Sequence, residues 1–114
     1  VPIPLPPPFD DDALSIEVLR DTDAVEVRAR GEIDMETAPR VRAALIEAGQ
    51  DGRDVRLHLE GVTFMDSSGI RVLVEAQRAL APRPLVLVAP SDGVRRVLGI
   101  TGLTARFPVE DGAG

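Results

Sequence analysis

Thr63-Phe-Met-Asp-Ser-Ser-Gly-Ile70 joins two hydrophobic periods, and its reading decides the fold. Upstream, Val55, Leu57 and Leu59 alternate with Arg56, His58 and Glu60, the period of a strand with one buried face. Downstream, Ile70, Leu73, Val74, Gln77 and Leu80 recur at helical spacing and stop before Pro82, where a helix cannot continue. Ser67 therefore stands where a strand ends and a helix begins. A helix N-terminus carries unpaired N–H groups and a partial positive charge, so it favours a capping oxygen or a phosphate. Spacing alone leaves two roles equally open for the Ser67 hydroxyl: a helix cap, or an acceptor of a phosphoryl group.

The same periods organise the rest of the chain. Leu14, Ile16 and Val18 alternate with polar residues, as do Val25, Val27 and Ala29, and Asp21-Thr-Asp23 lies between them. That predicts a hairpin with one buried face, ended by Gly31. Ala38, Val41, Ala44, Leu45 and Ala48 predict a helix, with Thr37 as N-cap, Pro39 in the first turn and Gly49 and Gly52 at the stop. Leu85–Ala89 is a continuous apolar run, the mark of a buried strand. Pro90-Ser91-Asp92-Gly93 opens a third helix, with Val94, Val97 and Leu98 as its apolar side. Ala105–Val109 reads as a last short strand, which Pro108 confines to an edge.

The order β-β-α-β-α-β-α-(β) is that of an α/β fold. Helical crossovers make parallel neighbours of one handedness. The loops Gly31–Glu36, Gly61–Ser68 and Pro90–Gly93 should then emerge at one edge of the sheet, where α/β folds usually build their sites. Glu32, Asp34, Asp66, Ser67, Ser68, Ser91 and Asp92 are expected to gather there.

Composition narrows the function classes. The 114 residues suit one domain, and 44% hydrophobic content supplies a core of Val, Leu, Ile and Ala, since Trp and Tyr are absent,. Without Cys there is no disulfide, Cys-ligated zinc or thiol chemistry. All 13 cations are Arg, so a Walker lysine and a Schiff base are excluded. The net charge of -6 offers no basic face for nucleic acid. No apolar run approaches the length of a membrane span, and the expected location is the cytoplasm. Residues 1–12, with five Pro before Asp10–Asp12, read as a flexible tail; residues 13–110 read as the domain, and 111–114 as a C-terminal tail.

Catalysis finds few parts. His58 is the only His and lies mid-strand, about 30 Å of extended chain before Ser67,. Acids such as Asp34 and Asp66 near helix starts more often cap than transfer protons. No triad, metal cluster or cofactor loop assembles, no cofactor is expected, and an enzyme is not the reading. A regulatory reading needs less: phosphate on an exposed Ser adds about -1.5 to -2 charge. Beside Glu32, Asp34 and Asp66 it would repel a partner matched to the bare surface.

Gly31-Glu-Ile-Asp34, Thr63-Phe-Met-Asp-Ser-Ser-Gly-Ile70 and Val94-Arg-Arg-Val-Leu-Gly-Ile-Thr-Gly-Leu103 together resemble the bacterial anti-sigma factor antagonists of the STAS domain family. The resemblance implies a small mixed sheet of four to five strands with helices on one face. It implies a cytoplasmic antagonist, a monomer when free, acting in stress response or sporulation. Its unphosphorylated form would bind an anti-sigma factor serine kinase and release a sigma factor. The kinase would phosphorylate Ser67, and a PP2C-type phosphatase would reverse this. Glu32, Asp34, Asp66, Ser68, Gly69, Arg71, Ser91 and Asp92 are the expected partner-binding neighbours, with Ser68 supporting the turn. Arg71 stands where many members carry a small residue, and it could pair with phosphate or face solvent. A further C-terminal helix, usual in the family, is expected to be short or missing. The alternatives within the family are a small-ligand or nucleotide-binding STAS module and a scaffold domain that is never phosphorylated.

Overall fold

A computed structural model describes residues 13–111; the expected tail at 1–12, and 112–114 of the C-terminal tail, lie outside the described residues. The elements run β1 (Leu14–Arg20), β2 (Ala24–Ile33), α1 (Ala38–Ala48), β3 (Asp54–Met65), α2 (Ser67–Leu80), β4 (Leu85–Val88), α3 (Asp92–Ile100), a 3₁₀ turn (Thr104–Arg106) and β5 (Val109–Glu110). The five strands lie in the order β1-β2-β3-β4-β5. β1 and β2 form the expected antiparallel hairpin, and every other pair is parallel, as helical crossovers demand. The sheet is therefore the mixed α/β arrangement that the alternating periods imply.

One face of the sheet holds the core. Val25, Val27 and Ala29 of β2, Val55, Leu57 and Leu59 of β3, and Leu85 and Leu87 of β4 pack with Val41 and Leu45 of α1, Leu73 and Ala76 of α2, and Val94 and Leu98 of α3. Each such aliphatic side chain, fully buried, contributes about 1.5–3 kcal/mol. On β2 and β3 the alternate positions Glu26, Arg28, Arg30, Arg56, His58 and Glu60 point the other way and are charged. There Glu26 accepts from Arg56 at 3.1 Å and lies 2.6 Å from His58, and Arg56 reaches Glu110 of β5 at 2.7 Å.

Several boundaries differ from the sequence expectation, each for a physical reason. Val18, expected inside with Leu14 and Ile16, is 45% exposed. Helix α1 covers the beginning of this edge strand, where Arg40 donates to the Leu14 carbonyl at 3.3 Å. Gly31 does not end β2, which continues to Ile33, and β3 runs on through Gly61 to Met65. The pairing slips twice along this stretch, between Arg28 and Arg30 and between Gly31 and Glu32. Each slip places one extra β3 residue against β2, a bulge that re-aims the strand. The last strand is Val109–Glu110 rather than Ala105–Val109. Residues 104–106 coil into the 3₁₀ turn, and Pro108, without an N–H, enters pairing through its carbonyl, which accepts from Leu87 at 2.9 Å,. Among the described residues no further helix follows that turn.

Gly31 sits where two backbones approach closely. Its φ is +111°, and a Cβ there would stand 2.1 Å from the Ala13 carbonyl oxygen. Both the backbone conformation and the space exclude a side chain. Gly31→Ala is expected to lower stability by roughly 2–4 kcal/mol, measurable as a fall in the midpoint of thermal or urea unfolding followed by circular dichroism.

Candidate functional site

The ends of β2 and β3 meet in register at Ile33 and Met65. The Asp66 N–H donates to the Ile33 carbonyl at 3.2 Å, so the residues that leave the two strands begin side by side. Leaving β2, the chain makes a turn built on Asp34. One Asp34 carboxylate oxygen accepts from the N–H groups of Glu36 at 2.9 Å and Thr37 at 3.0 Å. The Asp34 carbonyl accepts the first helical bond, from Ala38 at 2.8 Å. Thr37 holds the N-cap position of α1 but makes no side-chain cap. Its buried hydroxyl ties the turn instead: it accepts from the Asp34 N–H at 3.0 Å and donates to the Glu32 carbonyl at 2.8 Å. Burial is compatible with a hydroxyl that is fully hydrogen-bonded.

Leaving β3, the chain spends a single residue before α2. Asp66 is extended (φ -114°, ψ -168°) and its carboxylate accepts from the Ser68 N–H at 2.8 Å. Asp66 is therefore the N-cap. This decides between the two roles left open for Ser67 as far as the cap is concerned. The Ser67 side chain is exposed, occupies the first helical position, and among the described residues its hydroxyl has no hydrogen-bond partner. Ser68 supports the turn through its backbone N–H. Gly69 is buried: a Cβ would lie 2.6 Å from Met65 Cγ and 3.0 Å from Ile33 Cγ2, so its smallness lets α2 start hard against both strand ends.

The expected cluster assembles in part. Glu32, Asp34, Asp66, Ser67 and Ser68 converge at the β2–β3 end. Ser91 and Asp92 lie a step back. The Ser91 hydroxyl donates to the Val62 carbonyl at 2.7 Å and accepts from the Val94 N–H at 3.4 Å, capping α3 three residues before Met65, roughly 10 Å along the strand. Arg71 is exposed on α2 and lines a cleft of about 220 Å³ between α1 and α2, with Met35, Arg42, Ser68 and Glu75.

Two site residues are hidden from charge and periodicity. Met35 is 79% exposed directly after Asp34, and Phe64, in register with Glu32, is 48% exposed. Both are large apolar side chains exposed beside the carboxylates of this edge. The signal that could have found them is a Met amid loop acids and a Phe out of phase with the buried positions of its strand.

The family model for the STAS domain matches residues 15–112. The chain belongs to the STAS domain family. This STAS domain is 39% identical over 105 residues to an anti-sigma-B factor antagonist of Listeria monocytogenes, covering 89% of this chain and 92% of that protein. Its fold matches an anti-sigma factor antagonist from Mycobacterium paratuberculosis with a TM-score of 0.78 at 29% identity, over 87% and 86% of the two chains. It also matches SpoIIAA of Bacillus in its phosphorylated form, with a TM-score of 0.64 at 26% identity, over 83% and 90% of the chains.

Two outcomes follow for the carboxylates of this STAS domain. Asp66→Ala removes the cap of α2 and is expected to cost about 0.5–2 kcal/mol, read from denaturant unfolding. The hydrogen bond from the Thr37 N–H, aided by those from Glu36 and the Thr37 hydroxyl, holds the Asp34 carboxyl below the ordinary carboxylate range against a smaller opposing effect of desolvation. A depressed folded pKa stabilises above the unfolded value and is lost as pH falls through the folded one. The wild type should therefore melt above Asp34→Asn at neutral pH. That difference should shrink steadily as the pH falls below about 4, in paired melting curves taken across the acid range.

Proposed function

We propose that this chain is an anti-sigma factor antagonist of the cytoplasm, switched by phosphorylation of Ser67. In its bare form it engages an anti-sigma factor that is also a serine kinase, and so frees a sigma factor. The observation that carries this reading is the division of labour at the start of α2: Asp66 makes the cap, and the neighbouring Ser67 hydroxyl is left exposed and unengaged. Further support comes from the relatives named as antagonists and from SpoIIAA, which has been solved phosphorylated.

The chemistry belongs to the partner. Ser67 Oγ attacks the γ-phosphorus of ATP, the new O–P bond forms as the bond to the β–γ bridging oxygen breaks, and ADP leaves. The hydroxyl proton passes to a base of the kinase. A PP2C-type phosphatase would return the hydroxyl by attack of water, releasing inorganic phosphate. This chain presents the nucleophile, and Met35 and Phe64, with Glu32, Asp34 and Asp66 around them, supply the docking surface. Phosphate adds about -1.5 to -2 charge to that acidic rim, so a partner that fits the bare rim is repelled. The fold need not change, because α2 already has its cap and its dipole tolerates an anion at that end.

The test uses the anti-sigma factor kinase of the same organism. Incubation with ATP should place one phosphate on Ser67, located by peptide mass spectrometry. Ser67→Ala should take up none yet still bind the kinase, while the phosphorylated chain binds at least about tenfold more weakly. Phosphate on another residue, or a folded Ser67→Ala that no longer binds, would falsify the switch.

A further inference from the structure

Arg71 lies one helical turn after Ser67. Residues four apart on a helix are neighbours, and helical side chains lean toward the N-terminus, over the preceding turn. Arg71 lines the α1–α2 cleft beside Ser68, and by turning back along α2 its guanidinium can reach the surface above Ser67. It is exposed, and among the described residues it has neither an ion pair nor a hydrogen bond. The acid one turn further along, Glu75, does not hold it: Glu75 is engaged across the cleft by Arg42, at 3.1 Å. A lone cation in the second turn of a helix also stands against the dipole, which favours negative charge at that end. Arg71 is thus a strong donor fork with nothing to bind, set beside a free hydroxyl.

We propose that Arg71 is the internal receptor of the Ser67 phosphate, folding back along α2 to grip the modified side chain. The proposal rests on the phosphorylation reading above and adds a residue to it. An anion four residues before a cation is the favoured order for a helical pair, and a guanidinium matches two phosphate oxygens at once. The phosphate would otherwise sit among Asp34, Asp66 and Glu32 with only backbone N–H groups to offset them. Gripped by Arg71, it lies along the helix. The pairing also withdraws the guanidinium from the cleft beside Met35 and Arg42, so one modification adds negative charge at the rim and removes a positive donor from the cleft.

The experiment places phosphoserine at position 67 of the full chain during translation and follows its phosphorus NMR signal with pH. Arg71 favours the dianion. Arg71→Gln should therefore raise the second phosphate pKa by about 0.2–0.4 unit. Arg71→Lys should fall between the two, and Arg78→Gln, at the far end of the same helix, should leave it unchanged. Amide spectra check that each variant is folded. Superimposable titrations for the wild type and Arg71→Gln, or an equal shift from Arg78→Gln, would overturn the proposal. Because the phosphate is installed without a kinase, this outcome is independent of kinase labelling. A chain that no kinase modifies at Ser67 overturns the functional reading and leaves the titration to be judged by itself.

Discussion

The bond between the Asp66 N–H and the Ile33 carbonyl fixes where everything else at the functional end can be. It closes the last rung between two parallel strands, so the chain leaves β2 and β3 at the same height. From that rung one exit turns through the Asp34 carboxylate into α1, and the other passes Asp66 directly into α2. Shift the pairing by one residue and Met65 would leave the core, because strand faces alternate with every residue. Gly69 would then lose the flat contact with Met65 and Ile33 that lets α2 begin so close. The acidic rim is in this sense a product of strand register rather than of any attraction among its members, which carry like charge.

Much of this was legible in the order of residues. The switch from a period of two to a helical period around Asp66 located the strand–helix junction to within a residue. The β-α alternation implied parallel neighbours, and hence one edge for the loops. Burial followed the alternation wherever a helix lies above the sheet. It failed at Val18 because covering is a tertiary property: nothing within Leu14–Arg20 says how far α1 extends. The reach of β2 and β3 beyond their glycines was equally hidden, since glycine reads as a stop, yet here one glycine lets two backbones pass close together. The bulges of β3 scrambled the alternation around Phe64 and so concealed an exposed aromatic. Which of two adjacent side chains, Asp66 or Ser67, would cap α2 could not be read from composition, because both can. The extended backbone at Asp66 assigns the cap to the carboxylate.

That assignment has an energetic logic. The two carboxylates nearest the strand ends are occupied with backbone N–H groups, which stabilises the turns and holds the anions in fixed places. A hydroxyl relieved of structural work can be altered without unravelling the helix behind it. In the proposed reading, binding is carried by the rim and stability by the layer beneath. The charged lattice on the opposite face, with Arg56 joining Glu26 of β2 to Glu110 of β5, also serves stability, because it clasps a two-residue edge strand across the sheet.

β4 ends opposite His58, while β3 continues to Met65 with β2 as its sheet partner. Beyond His58 the sheet narrows to β1, β2 and β3, and beyond Gly31 and Val62 to a ribbon of β2 and β3 alone, whose buried Ile33 and Met65 pack against Gly69. Two-stranded ribbons twist more freely than broad sheets. The rim is thus carried on a cantilever. The rim hangs from the ends of two strands, and the three others stop before reaching it.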